Sequence, residues 1–395
     1  MRDKLPLPLM AAIAALPPLA VDMYLPAIPG IAADLNTEIS VIQNSLSIYL
    51  IGFGLGLLVF GPFSDRFGRR PLALFGLTGF AASSFFLSIS TSAEVFLFFR
   101  LVQGFLGSAA TVVIPAMIRD CYGKDTAKGL STVTMIMLLA PLVAPLMGSF
   151  FLTLGEWEIL FQALTAYGVV LFILTFLRLP ETRPATSESA PRSFLSNYKI
   201  IMANHSIYFD LLCFMLSALT FFTYLTSVSF IYITYFQVSE TLFGILFACT
   251  ASALIFANFI NVRVVSRFGP RKMMQAGLVV GTLFSGLLII VSLSNLAVYW
   301  TVACFIFLIG SLGISSINAD ALILLEFPNQ ASSASAVTGT LRFGCGALAG
   351  PILAVIYNGT PVPIAIMMFV TMLGAGIAQI LHVRQIKKKE NLSAE

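Results

Sequence analysis

Apolar runs of about 20 residues, each cut off by a short polar or glycine- and proline-rich break, repeat along the whole chain of 395 residues. That is the length a helix needs to cross the hydrocarbon core of a bilayer. The pattern predicts twelve helices, spans 1 to 12, over 7–29, 43–63, 72–92, 94–117, 130–153, 158–178, 207–236, 241–262, 273–294, 298–325, 333–357 and 361–384. The expected fold class is an all-α, multi-pass integral membrane protein. The first run is long, broken by Pro17 and Pro18 and followed directly by further spans, so it reads as an uncleaved helix rather than a signal peptide.

Composition agrees with that pattern. The chain is 58% hydrophobic and 10% charged, with a mean hydropathy of +0.94, whereas a soluble domain carries about 25% charged residues. With both termini placed in the cytoplasm, every one of the 22 Lys and Arg residues falls inside except Arg100 and Arg342, which lie within spans. Basic inner loops are what orient membrane proteins, so the net charge of +4 is a topology signal and implies no nucleic-acid partner. A multi-pass membrane location with both termini in the cytoplasm is expected. Cys121, Cys213, Cys249, Cys304 and Cys345 are isolated, and His205 and His382 stand alone in a loop and near the end of span 12. Neither a disulfide framework nor a metal site is expected.

The stretch from Arg178 to Ser206, rich in Pro, Ser and charge, divides six spans from six. The expected organisation is a bundle over 1–178, a cytoplasmic linker over 179–206 and a second bundle over 207–395. "DRFGRRP" (Asp65 to Pro71) between spans 2 and 3 recurs as "SRFGPRKM" (Ser266 to Met273) between spans 8 and 9, at a shift of 201 residues. Two six-helix repeats follow. Such repeats place a substrate site near the midplane and expose it to each side in turn, which makes transport the leading function.

The loop "GPFSDRFGRRP" resembles the G-x-x-x-D-R-x-G-R-R signature of the major facilitator superfamily, carried here by Gly61, Asp65, Arg66, Gly68, Arg69 and Arg70. The resemblance implies the major facilitator fold, two pseudo-symmetric six-helix bundles, and a gating role for this loop. Asp65, near the start of span 3, is the expected acceptor for the first N–H groups of that helix. Span 4 carries "RLVQGFLGSAA", similar to the R-x-x-Q-G-x-G pattern of proton-coupled members. Span 5 carries Pro141, Pro145 and Gly148, similar to the signature of drug:proton antiporters, although Ala140 and Ala144 stand where glycine is usual. "DMYLPAIP" in span 1 and "LPET" (Leu179 to Thr182) narrow the resemblance to the bicyclomycin and chloramphenicol resistance (Bcr/CflA) branch of the twelve-span drug:proton antiporters. It implies multidrug efflux and antibiotic resistance, with coupling and substrate roles at Asp22 and Arg100.

The residues themselves point to the same place. A charged side chain at a helix centre costs about 2.5–3.5 kcal/mol on insertion scales, so intramembrane charges are functional candidates. Asp22 and Arg100 lie at similar depths, about 12 Å and about 9 Å from the outer ends of spans 1 and 4 at 1.5 Å per residue, and are expected to meet. Arginine proximity and desolvation act oppositely on a carboxylate, as a proton carrier requires; a permanent ion pair that only packs two helices is the bland alternative. Tyr24, about 200° further round an ideal helix, is not expected to share the face of Asp22.

Tyr24, Tyr49, Tyr224, Tyr232 and Tyr235 with Gln43, Asn44 and Gln103 are candidate pocket residues, Tyr232 and Tyr235 being equally placed for an interfacial aromatic belt. Asp320 reads as a helix-end charge. Arg342 either pairs with it near the inner gate or sets a substrate preference. No G-x-x-x-x-G-K-[ST] occurs and no nucleophile–base–orienter cluster is present, so the chain reads as no enzyme and no ATP-driven pump. The expected partners are protons, a small amphipathic substrate and lipid, around a monomer without cofactor, the proton gradient supplying the energy. The rival reading is a carrier of a physiological metabolite such as a nucleoside or sugar; many amides and carboxylates in the cavity favour it, while one Asp–Arg pair in a Phe-rich lining favours drugs.

Overall fold

The computed structural model describes residues 6–122, 126–182, 203, 204, 207–327 and 331–394; most of the expected linker, and the side chains of Asp65 and Arg66, lie outside the described residues. Every predicted span is helical. Span 1 is Leu7–Asp34, span 2 Ile39–Phe67, span 3 Arg69–Ser88, span 4 Ala93–Tyr122, span 5 Thr126–Leu152 and span 6 Glu158–Arg178. Span 7 is Tyr208–Tyr235, span 8 Glu240–Phe268, span 9 Pro270–Leu293, span 10 Val298–Leu325, span 11 Ala331–Gly346 with Ala349–Ile356, and span 12 Val362–Ala394. Among the described residues eleven of these are long and apolar enough to cross a membrane, and span 5 adds the apolar stretch Leu139–Leu152. Spans 2, 8 and 12 run past their apolar stretches into the basic loops, because a helix continues wherever its backbone bonds can be made, whatever the polarity of its side chains.

The chain divides into two compact units, Met1–Pro191 with Val228–Ala248, and Arg192–Ser227 with Cys249–Glu395. The far end of span 7 and the start of span 8 thus belong with the first six spans. Within the first unit, Ser229 Oγ donates to the Leu25 carbonyl at 2.5 Å and Ser149 Oγ to the Glu240 carbonyl at 2.7 Å.

Two sequence features shape the first unit. Spans 2 and 4 touch backbone to backbone: a Cβ at Gly52 would overlap the Leu101 carbonyl oxygen, and one at Gly104 that of Tyr49. Small residues allow such approach, which drives helix association where lipid is as apolar as leucine. Span 1 is broken into Leu7–Ala14, Leu16–Asp22, a 3₁₀ turn at Leu25–Ala27 and Ile28–Asp34. Pro17, Pro18, Pro26 and Pro29 remove the N–H groups that the carbonyls of Ile13, Ala14, Asp22 and Leu25 would otherwise use. Irregular backbone at membrane depth persists only where protein or a wet cavity satisfies it, and the Ser229 bond to Leu25 is one such repair.

Candidate functional site

Asp22 closes the short helix Leu16–Asp22, at the point where span 1 breaks. It is 3% exposed, and its Oδ1 has no hydrogen-bond partner. The break also frees carbonyls, since the last turn of a helix leaves its C=O groups unpaired. Arg100, fully buried on span 4, uses one of them: its Nη1 donates to the Ala20 carbonyl at 3.1 Å and to Gln103 Oε1 at 2.7 Å. Gln103 Nε2 donates in turn to Ser84 Oγ at 2.8 Å, and Ser84 to the Phe80 carbonyl at 2.7 Å. A relay of hydrogen bonds therefore runs from the broken helix through span 4 into span 3.

The guanidinium lies between two aromatic faces, 4.2 Å from the Tyr24 ring centre and 4.8 Å from that of Tyr49. Each such contact is worth about 0.5–2 kcal/mol, more when desolvated. The Tyr24 ring stacks on Arg100 while its hydroxyl bonds Ser45 Oγ at 3.1 Å.

The expected contact between Asp22 and Arg100 is corrected: no ion pair joins them among the described residues, because Nη1 is spent on Ala20 and Gln103 and the guanidinium plane is held by the two rings. Tyr49 lies within electrostatic reach of both charges. Its hydroxyl, Arg100 Nε and Nη2 and Asp22 Oδ1 are all buried without partners. Each unmet buried group costs about 1–3 kcal/mol, so four in one place mark an unusually costly polar cluster.

The signature loop between spans 2 and 3 forms a second cluster. Gly68 turns the chain at φ +98°, a region that favours glycine, and Gly269 repeats the turn at φ +80° between spans 8 and 9. Ser64 Oγ donates to the Gly61 carbonyl at 2.7 Å. Glu181 caps the start of span 3: its Oε1 and Oε2 accept from the backbone N–H groups of Arg69 and Arg70, both at 3.1 Å, while the side chain of Asp65 lies outside the described residues. Arg69 pairs with Asp120 at the end of span 4, and Arg70 Nη2 donates to the Phe176 carbonyl at 2.6 Å. Glu181 belongs to the "LPET" stretch, noticed in the sequence only as a signature. Glu181→Ala is expected to lower stability by about 1 kcal/mol, as loss of an N-terminal cap does, and to raise proteolytic cutting at this loop; unchanged melting and cutting would remove the cap assignment.

In span 5, Pro141 and Pro145 lie inside the helix, and Gly148 lets Met23, next to Asp22, come so close that a Cβ there would overlap its carbonyl oxygen. The glycine of this motif therefore sets the close fit of span 5 against the break in span 1.

In the second unit, Arg271 of span 9 grips Asp210 of span 7 with both terminal nitrogens, at 3.2 and 3.1 Å, and Gln379 and His382 of span 12 join the same carboxylate at 2.8 and 3.2 Å. His382 is thus part of a buried network that its isolation in the sequence concealed. Tyr224 bonds Thr250 at 2.6 Å; Tyr232, which belongs to the first unit, is fully buried rather than placed in an interfacial belt. Arg342, expected in the same set as Asp22, belongs to this second unit and lies near Asp320.

Comparison with known proteins agrees with this architecture. Residues 10–351 match the Major Facilitator Superfamily. The chain is 32% identical over 358 residues to a bicyclomycin resistance protein homolog of Haemophilus influenzae, which covers 90% of each chain. It is 32% identical over 270 residues to a chloramphenicol resistance protein of Pseudomonas aeruginosa, over 67% of this chain and 63% of that one. Among solved structures, a nucleoside transporter superposes with a TM-score of 0.74 at 14% identity, over 95% of this chain and 99% of that one. A D-xylose–proton symporter gives 0.71 at 15%, over 95% and 96%. At such identity these two likenesses concern the fold alone.

Proposed function

Because the chain belongs to the major facilitator superfamily and is a transporter, not an enzyme, we propose that it exports small amphipathic compounds of the phenicol or bicyclomycin kind from the bacterial cytoplasm in exchange for protons. The printed names of its relatives, resistance to bicyclomycin and to chloramphenicol, support the substrate class. The likeness to nucleoside and sugar carriers reaches only the fold, so the metabolite reading has less behind it.

The observation that carries the mechanism is the buried, unpartnered carboxyl of Asp22 beside an arginine held elsewhere. With its proton, Asp22 is a neutral group in a protein interior. Without it, the charge must be met by water or by the free Nε and Nη2 edge of Arg100. A rearrangement of the broken span 1 that brings the two groups together therefore releases the proton, and one that separates them restores it. Tyr24, Tyr49 and Gln103 frame the substrate beside that switch, a mostly aromatic wall with few polar anchors. Gly61, Asp65, Arg66, Gly68, Arg69 and Arg70 form the cytoplasmic gate; Pro141, Pro145 and Gly148 set the fit of span 5 against span 1.

The test is chloramphenicol movement in proteoliposomes under an imposed pH gradient. An exchanger accumulates the drug on the acidic side and alkalinises that compartment as it does so. Drug and protons moving in the same direction, or drug movement blind to the gradient, would overturn the proposal.

A further inference from the structure

A second carboxyl within the spans has no use in the mechanism above. Asp320 lies on span 10 about 8 Å before its end at Leu325, and Arg342 on span 11 about 16 Å beyond its start at Ala331, counting 1.5 Å per residue. The two ends share one loop, so the residues differ in depth by about 8 Å. Helical side chains lean toward their own N-terminus, so Asp320 leans away from that loop and Arg342 toward it, which closes the gap. Thr338, one turn before Arg342, lies beside the Asp320 carboxyl, and Arg342 lies within electrostatic reach of it. One oxygen, Asp320 Oδ1, remains buried without a partner.

Arg342 is exposed although it sits inside a span. Exposure of arginine to lipid is costly; exposure to a wet cavity is not. A Cβ at Gly339 or Gly344 would meet nothing within 4 Å, so this stretch of span 11 borders open space. Among the described residues no other charge acts on the Asp320 carboxyl: span 8 meets span 10 through the pair Asn261–Asn318, and span 9 through Gly277 beside Ser311 and Ser315.

We infer that Asp320 is a second proton-binding carboxyl of this transporter, reached through the open space beside Arg342 and flanked by Thr338 and Arg342. The inference deepens the proposed proton exchange and rests on it for the direction of flow, but the site itself is tested separately. Infrared difference spectra are recorded on the purified protein in phospholipid vesicles as the pH is cycled between mildly acidic and mildly alkaline, following the carbonyl stretch of protonated carboxyls.

Asp320→Asn is expected to lose one component that Asp22→Asn keeps. Arg342→Gln should move the midpoint of that component alone, and Asp320→Glu should shift its frequency while retaining it, which covers the case in which the asparagine variant does not fold. If Asp320→Glu and Asp320→Asn both reproduce the wild-type spectrum, Asp320 binds no titrating proton and the inference falls. If the Asp22 component alone is missing from the wild type, the reading of Asp22 fails while that of Asp320 stands.

Discussion

Replacing Asp22 by asparagine is expected to abolish uphill transport while leaving downhill movement of chloramphenicol intact. A pH gradient of one unit is worth about 1.4 kcal/mol per proton, enough at one-for-one exchange for about a tenfold gradient of drug. Wild-type vesicles should approach that ratio. Asparagine keeps the shape of the side chain and cannot carry the proton, so the variant should bring drug to equal concentrations on both sides and no further. Thermal melting should not fall, because the buried Oδ1 has no partner to lose. Continued accumulation by Asp22→Asn would place the coupling carboxyl elsewhere, whereas loss of downhill movement as well would make Asp22 a substrate anchor instead of a proton carrier.

Arg100→Lys is expected to do more damage than a conservation of charge suggests. The guanidinium makes two hydrogen bonds through Nη1 and faces two tyrosine rings. Hydrogen bonds from charged groups are worth about 1.5–3 kcal/mol each, and a lysine ammonium offers a point charge in place of the planar fork. Loss of one such bond and part of the stacking amounts to about 3 kcal/mol, or about 100-fold in an equilibrium constant. Both the melting temperature and drug exchange, the latter by about that factor, should drop in Arg100→Lys. A variant with wild-type melting and exchange would mean that neither the Ala20 carbonyl nor the ring pair matters to the site.

These two residues mark how far the sequence is legible. Both are conspicuous as charges within apolar runs, and the cost of such charges singles them out without any structure. Their relation is another matter. Depth along ideal helices predicts a meeting, but depth does not say which partners a guanidinium takes, and Arg100 takes the Ala20 carbonyl, Gln103 and two tyrosine rings.

Glu181 and Asp120 show a different limit. Each is an ordinary acid near a span end, and each becomes specific only through a partner far along the chain: Glu181 caps the N–H groups of Arg69 and Arg70, and Asp120 pairs with Arg69. The internal repeat points to Gly269 and its neighbours, and the φ of +80° there matches the +98° of Gly68. It gives no hint that Arg271 would be met by Asp210, Gln379 and His382, since three helices must converge before that network exists.

What the sequence alone determined is the number and order of the spans, the bias of the basic loops and the short list of costly charges, because bilayer thickness and the price of a buried charge act on each segment by itself. The tertiary structure decided which charge is caged, which is left unpaired and which acid caps which helix. Those outcomes depend on contacts between segments distant in sequence and on broken helices, where no local periodicity remains to be read.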